Sequence, residues 1–169
     1  MGMVGVFRLA PVELLQRLKQ DPESIEPLLL EEDHEVEDEG APDPGGTLDV
    51  DKAWHGLHFV LTGTAWEGEP PLNFILGGEE LAADFGYGPP RVFMPPQLQA
   101  IATAIEPIDE AEVARRYSPA RMKQLDIYPD IWDRPDENNL EYLQETWALL
   151  KPFLQKGAAE GFGLVVYLS

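Results

Sequence analysis

The residues best suited to chemistry fall in LDVDKAWHGLHFVLTGT, Leu48 to Thr64, where Asp51, His55, His58 and Thr62 follow at i, i+4, i+7 and i+11. On a helix that spacing puts all four on one face. A carboxylate orienting an imidazole, a second imidazole and a hydroxyl could line a pocket for acid/base work, and histidines three apart can share a metal. The same side chains serve as structure if each imidazole bonds a backbone carbonyl or a neighbouring side chain, and without a second ligand cluster this is the favoured reading. Leaving such a group buried and unpaired costs about 1–3 kcal/mol. Beside this polar stripe run Val50, Trp54, Leu57 and Leu61, an apolar stripe that should enter the core, with Asp49 available as a cap.

Other constellations are weaker. Asp84 to Val92 reads DFGYGPPRV, an irregular loop in which Tyr87 and Arg91 could grip an anionic or planar ligand, or in which Tyr87 could simply pack down. Asp126, Asp130, Asp133 and Asp136 invite a calcium reading, but they lack the twelve-residue spacing and closing glutamate of an EF-hand, so caps and turns explain them better. Two imidazoles without HExxH are too few for a zinc site, and there is no GxSxG. The absence of cysteine removes thiolate ligands and thiol nucleophiles. No cofactor and no metal are expected.

Composition narrows the partners. The 169 residues are 44% hydrophobic, enough for a core, and fit one domain over 1–169. They carry 31 acidic against 12 basic side chains, a formal charge of -19 that should repel phosphate backbones and anionic lipid. Nucleic acid and membrane are therefore unexpected partners. No secretory pattern opens the sequence and no apolar run nears the roughly eighteen residues a bilayer span requires, so a cytoplasmic location is expected.

These residues need elements to position them. Alternation from Met3 to Leu9 predicts a strand, Pro11 opens a helix through Leu14, Leu15 and Leu18, and a second short helix is expected over Glu23 to Glu31. Seven of nine residues from Glu31 to Glu39 are acidic, and the prolines and glycines that follow to Gly46 make about 31–47 a loop. Leu48 to Thr64 reads as a helix buried nearly all round, and Pro71 to Leu76 as a short one. Pro90 to Met94 reads as a strand, and Gln97 to Ile105 and Ala120 to Leu125 as helices, the latter with Ser118 as cap. Leu140, Leu143, Trp147, Leu150 and Leu154 predict the longest helix over Glu137 to Lys156, kinked or ended by Pro152, and Phe162 to Leu168 predicts a closing strand. Strands at both ends with helices between argue for an α+β fold, a small mixed sheet flanked by helices. The alternative is a mainly helical domain with a two-stranded ribbon joining the termini.

The opening MGMVG, the DKxWxxLHxxLTG stretch (Asp51, Lys52, Trp54, Leu57, His58, Leu61, Thr62 and Gly63), Pro71-Leu72 with Leu76-Gly77-Gly78, Asp84 to Pro89, and Asp126-Ile127-Tyr128-Pro129 together resemble the YfbM-like family of bacterial proteins. The resemblance runs nearly end to end. It implies an α+β domain of about this length and supplies no catalytic residues to carry over. The acidic stretch from Glu31 to Gly46 stands out as an insertion ahead of the shared motif.

Two functions of different class follow. One is a non-enzymatic interaction protein, of the immunity or antitoxin kind, whose acidic surface meets a basic partner. The alternative is a small-ligand-binding protein or enzyme with a pocket lined by Asp51, Trp54, His55, His58, Thr62, Tyr87 and Arg91. A structural subunit of a homo-oligomer ranks third.

Overall fold

A computed structural model describes residues 2–24, 46–83 and 87–169. Its centre is a five-stranded sheet in the order β2-β1-β5-β4-β3. β1 (Gly5–Ala10) lies between β2 (Thr47–Asp49) and β5 (Gly163–Leu168), and β4 (Arg91–Phe93) joins β5 to β3 (Glu79–Glu80). The α+β class expected from the sequence holds. The sheet is antiparallel in all four ladders rather than mixed, and the alternative of a lone two-stranded ribbon is displaced.

The two end strands form the middle of this sheet, with Phe7 opposite Val166 and Leu9 opposite Leu164. Every residue of β1 is buried, because the sheet is covered on both faces. Phe7, Leu9, Leu164, Val166 and Phe93 belong to the larger core, shared with helices α2 (Trp54–Thr62), α3 (Pro95–Ile105) and α6 (Asn139–Ala159). Val6, Ala10, Val92, Val165 and Tyr167 belong to a smaller core beneath α1 (Val12–Gln20), which contributes Leu15 and Leu18. Two short helices, α4 (Glu110–Arg116) and α5 (Pro119–Gln124), complete the helical layer.

Several sequence expectations need correction. The helix expected over Leu48 to Thr64 is confined to 54–62. Thr47, Leu48 and Asp49 pair with Arg8, Phe7 and Val6 of β1, so cross-strand hydrogen bonds claim those residues first. Asp51 then takes a left-handed φ of +52°, and a 3-10 turn over Asp51–Ala53 leads into α2. Asp49 caps this corner instead of a long helix, its carboxylate accepting from the Asp51 N–H at 2.6 Å. Pro71 to Leu76 forms turns, not a helix. Pro70 and Pro71 lack N–H donors, and Gly77 closes back on the Asn73 carbonyl at 2.8 Å.

Of the helix expected over 23–31, Pro22–Ser24 form a 3-10 turn and the remainder lies outside the described residues, as does nearly all of the 31–47 loop. The last helix runs through Pro152 to Ala159. Two elements were not anticipated, the two-residue β3 and α4. Asp109 starts α4 by accepting from the Glu112 N–H at 2.8 Å.

The β4–β5 crossing also yields a test. A Cβ placed on Gly163 would overlap the Phe93 carbonyl oxygen and the Leu15 side chain. Gly163→Val is expected to lower stability by about 1–3 kcal/mol and to depress the melting temperature by several degrees. A melting curve superimposable on the wild type would show that this contact is not close.

Candidate functional site

Helix α2 is buried at every position from Trp54 to Leu61, which makes it the inner element the sequence called for. Gly63 ends it in a left-handed conformation, φ +76°, with its N–H on the Phe59 carbonyl at 2.6 Å. The chain then doubles back along the polar stripe. His55 Nε2 donates to the Ala65 carbonyl at 2.7 Å, and His55 Nδ1 accepts from the Tyr128 backbone N–H at 2.7 Å. This pairing fixes one neutral tautomer. His58 Nε2 donates to the Glu67 carbonyl at 2.8 Å, and Thr64 Oγ1 donates to the same oxygen at 2.7 Å. Thr62 Oγ1 returns to the His58 carbonyl at 2.8 Å and accepts from the Thr64 N–H at 3.2 Å.

Both imidazoles are fully buried. Burial pushes the His55 pKa down against the opposing bond to Ala65. Burial also lowers His58, to about 4, against its bond to Glu67 and with help from His55 and the Arg91 guanidinium. His58 Nδ1 is buried without a hydrogen-bond partner among the described residues. The aromatic surroundings are continuous. Trp54 stacks on His55 at 5.0 Å and on Tyr128 at 5.6 Å, while the other side of the cluster is Trp66, 4.3 Å from the His55 ring centre. The Trp54 indole N–H donates to the Met3 carbonyl at 3.0 Å, and the Met3 N–H donates to the Tyr128 hydroxyl at 2.8 Å.

The remaining candidates divide. Arg91, buried on β4, donates through Nη1 to the carbonyls of Ile75 at 2.6 Å and Gly77 at 3.1 Å. Burial lowers its pKa to about 10, with Glu80 opposing. It therefore braces the 75–77 turn. Asp51 turns away from the histidines and accepts from the Tyr142 hydroxyl of α6 at 2.8 Å. Tyr87 stays at the surface, 47% exposed, and residues 84–86 before it lie outside the described residues. Trp54, His55, His58 and Thr62 thus share one assembly, Arg91 approaches it electrostatically through His58, and Asp51 and Tyr87 stand apart.

The chemistry open to this assembly is limited by what covers it. A general base needs a lone pair within reach of a substrate proton. His55 has spent both nitrogens, and residues 64–67 lie across the stripe. A groove of about 540 Å³ opens elsewhere, between α5 and the start of α6, with Tyr117, Trp132, Asp133, Arg134, Glu137 and Asn139 in its lining. Two of its acidic groups answer to the chain's own cations, Lys123 on Asp133 at 3.0 Å and Arg134 on Glu137 at 3.2 Å. No group of three or more metal-ligating side chains occurs among the described residues, and no helix among them is long and apolar enough to cross a membrane.

Sequence reasoning missed Trp66, the residue that closes the aromatic stack from outside. The available signal was the run Thr64-Ala65-Trp66-Glu67 directly after a helix-ending glycine, a tryptophan in a short segment with no hydrophobic period to bury it.

The protein-family comparison matches residues 1–167 to a family described as a domain of unknown function, DUF1877. The chain belongs to the DUF1877 family. Protein YfbM of Escherichia coli (strain K12) is 30% identical over 136 residues, 78% of this chain and 75% of that protein. A crystal structure described as that of a protein of unknown function, YfbM from Escherichia coli, superposes with a TM-score of 0.68 at 22% identity, covering 98% of this chain and 99% of the other. The resemblance to YfbM-like proteins seen in the sequence motifs thus extends to the fold, and the α2 assembly described above is embedded in a DUF1877 architecture.

Proposed function

We propose that the protein is a non-enzymatic interaction partner, of the immunity or antitoxin kind, that neutralises or holds a basic protein. The observation that carries this reading is the uncompensated charge of -19. Most of the 12 basic side chains, already counted in that figure, are committed within the chain. Arg8 and Arg91 are buried. Lys19, Arg115, Arg116, Lys123 and Arg134 each sit on a carboxylate of the same chain. Glu67, Glu69, Asp109, Glu110, Asp136, Glu141 and Glu145 face solvent. Such a surface attracts a basic protein over a Debye length of about 10 Å at ~0.1 M salt and disfavours acidic competitors.

The ligand-pocket alternative draws less support, since residues 64–67 cover the stripe it would use. Affinity purification from source cells at low salt is expected to retain a basic protein that elutes as ionic strength rises, and the purified pair should re-form in calorimetry. Recovery of no basic partner at any salt concentration would overturn the reading.

A further inference from the structure

We infer that the contact surface of this interaction protein is the outer face of Trp66 together with the carboxylates of Glu67 and Glu69, and that it receives an arginine side chain of the basic partner. The inference rests on the function proposed above and deepens it. Of the four tryptophans, Trp54, Trp132 and Trp147 are buried, with their indole N–H groups on the carbonyls of Met3, Tyr128 and Ile108. Trp66 is 63% exposed. Folding has left the largest apolar side chain type in water at this one position, where an arriving partner can cover it.

The exposed ring sits on a firm base. The carbonyls on either side of it, Ala65 and Glu67, are held from beneath by His55 at 2.7 Å and His58 at 2.8 Å. Its inner face rests against His55, inclined by 37°, and His55 in turn stacks on Trp54 at 15°. A side chain fixed in this way loses little freedom on binding, which is the condition under which an aromatic anchor contributes most.

The charge around the ring selects the occupant. His55 uses both nitrogens in the neutral tautomer, so the ring beneath the indole carries no charge to repel a cation above it. Glu67 turns its carbonyl inward to His58 and Thr64, and the residue itself is exposed, as is Glu69. A negative ring face with exposed glutamates one and three residues further along the chain suits a cation. A planar guanidinium can lie flat on the indole and still bond a carboxylate at its edge, which a lysine ammonium cannot match.

The test uses the whole chain and two blocked, short peptides of equal charge, oligoarginine and oligolysine, at constant ionic strength. Because the other tryptophans are buried, acrylamide quenching and the exposed indole N–H signal in 15N spectra report on Trp66. The arginine peptide is expected to protect Trp66 saturably, shift its indole signal and bind about five-fold more tightly than the lysine peptide. Trp66→Ala should abolish that preference, and Trp66→Phe should keep part of it. Glu67→Gln with Glu69→Gln, which leaves ring and loop intact, should weaken both peptides.

Equal binding of the two peptides with an unmoved Trp66 signal would overturn the inference. So would a Trp66→Ala, Glu67→Gln, Glu69→Gln protein that holds the cellular basic partner as tightly as wild type, and in that case the proposed function itself would stand. If wild type retains no basic partner yet binds the arginine peptide at Trp66, the site stands and the broader function falls.

Discussion

Replacing Trp54 by alanine is expected to lower the unfolding free energy by about 3–5 kcal/mol, the range for truncating a fully buried large side chain. Several contacts fail together. The ring is enclosed against Tyr128 and His55, and its N–H is what ties down the Met3 carbonyl beside β1. Position 5 is also fitted to it, since a Cβ on Gly5 would come within 3.3 Å of the Trp54 Cγ, an atom that alanine lacks. Little room exists for neighbours to collapse into the space. Urea unfolding of the variant beside Trp66→Ala makes the comparison informative, because the exposed tryptophan should cost about 1 kcal/mol or less. Similar losses for the two variants would mean that Trp54 does not anchor this core.

Acidification should be the second large effect. The folded chain holds His58 neutral with a pKa near 4, whereas an unfolded chain protonates histidine at about 6.5. A group whose folded pKa is depressed in this way contributes its full stability above pH ~6.5, and that contribution is lost as the pH falls toward about 4, because the unfolded chain takes up the proton first. At about 1.4 kcal/mol per pH unit, His58 alone accounts for about 2 kcal/mol between pH ~6.5 and ~5, and His55 acts in the same direction. Glu112, held near 2 by Arg115 and Arg116, begins to cost stability only below its ordinary value of 4.5, so the window above that belongs to the imidazoles.

His58→Gln keeps an amide donor for the Glu67 carbonyl and removes the titration. Its stability should fall less steeply than that of the wild type over the same range. Identical slopes in urea titrations at pH ~6.5 and ~5 would show that His58 does not control the acid response.

The fold was legible wherever a hydrophobic period ran long enough to declare itself. Leu143, Trp147, Leu150 and Leu154 are all buried on α6, and the β-branched run at the end of the chain is β5. The polar stripe was legible as a set of neighbours on α2. What it touches was not, because its partners are main-chain carbonyls of Ala65 and Glu67, and periodicity carries no record of a chain reversing after Gly63. Asp51 was placed on the same face by counting back at helical spacing. The left-handed turn at that residue breaks the count and gives the carboxylate to Tyr142.

Arg91 offers a similar lesson. Residue type suggested a grip on an anion, whereas its burial on β4 turns its donors to Ile75 and Gly77. Thr47 to Asp49 alternates over only three residues, too few to stand out beside the helical spacing that follows, and becomes a strand because β1 offers it hydrogen bonds.

The position of β5 between β1 and β4 has a consequence for biosynthesis. The strand that must lie against β1 is translated more than a hundred and fifty residues after it, Gly5 finally meeting Leu168. Until the ribosome has delivered that stretch, β1 and β4 lack the strand that joins them, and an apolar edge at Phe7 and Leu9 stays open to improper pairing. The protein's dependence on holdase chaperones should therefore be greatest late in translation and end abruptly once residues 163–168 have emerged.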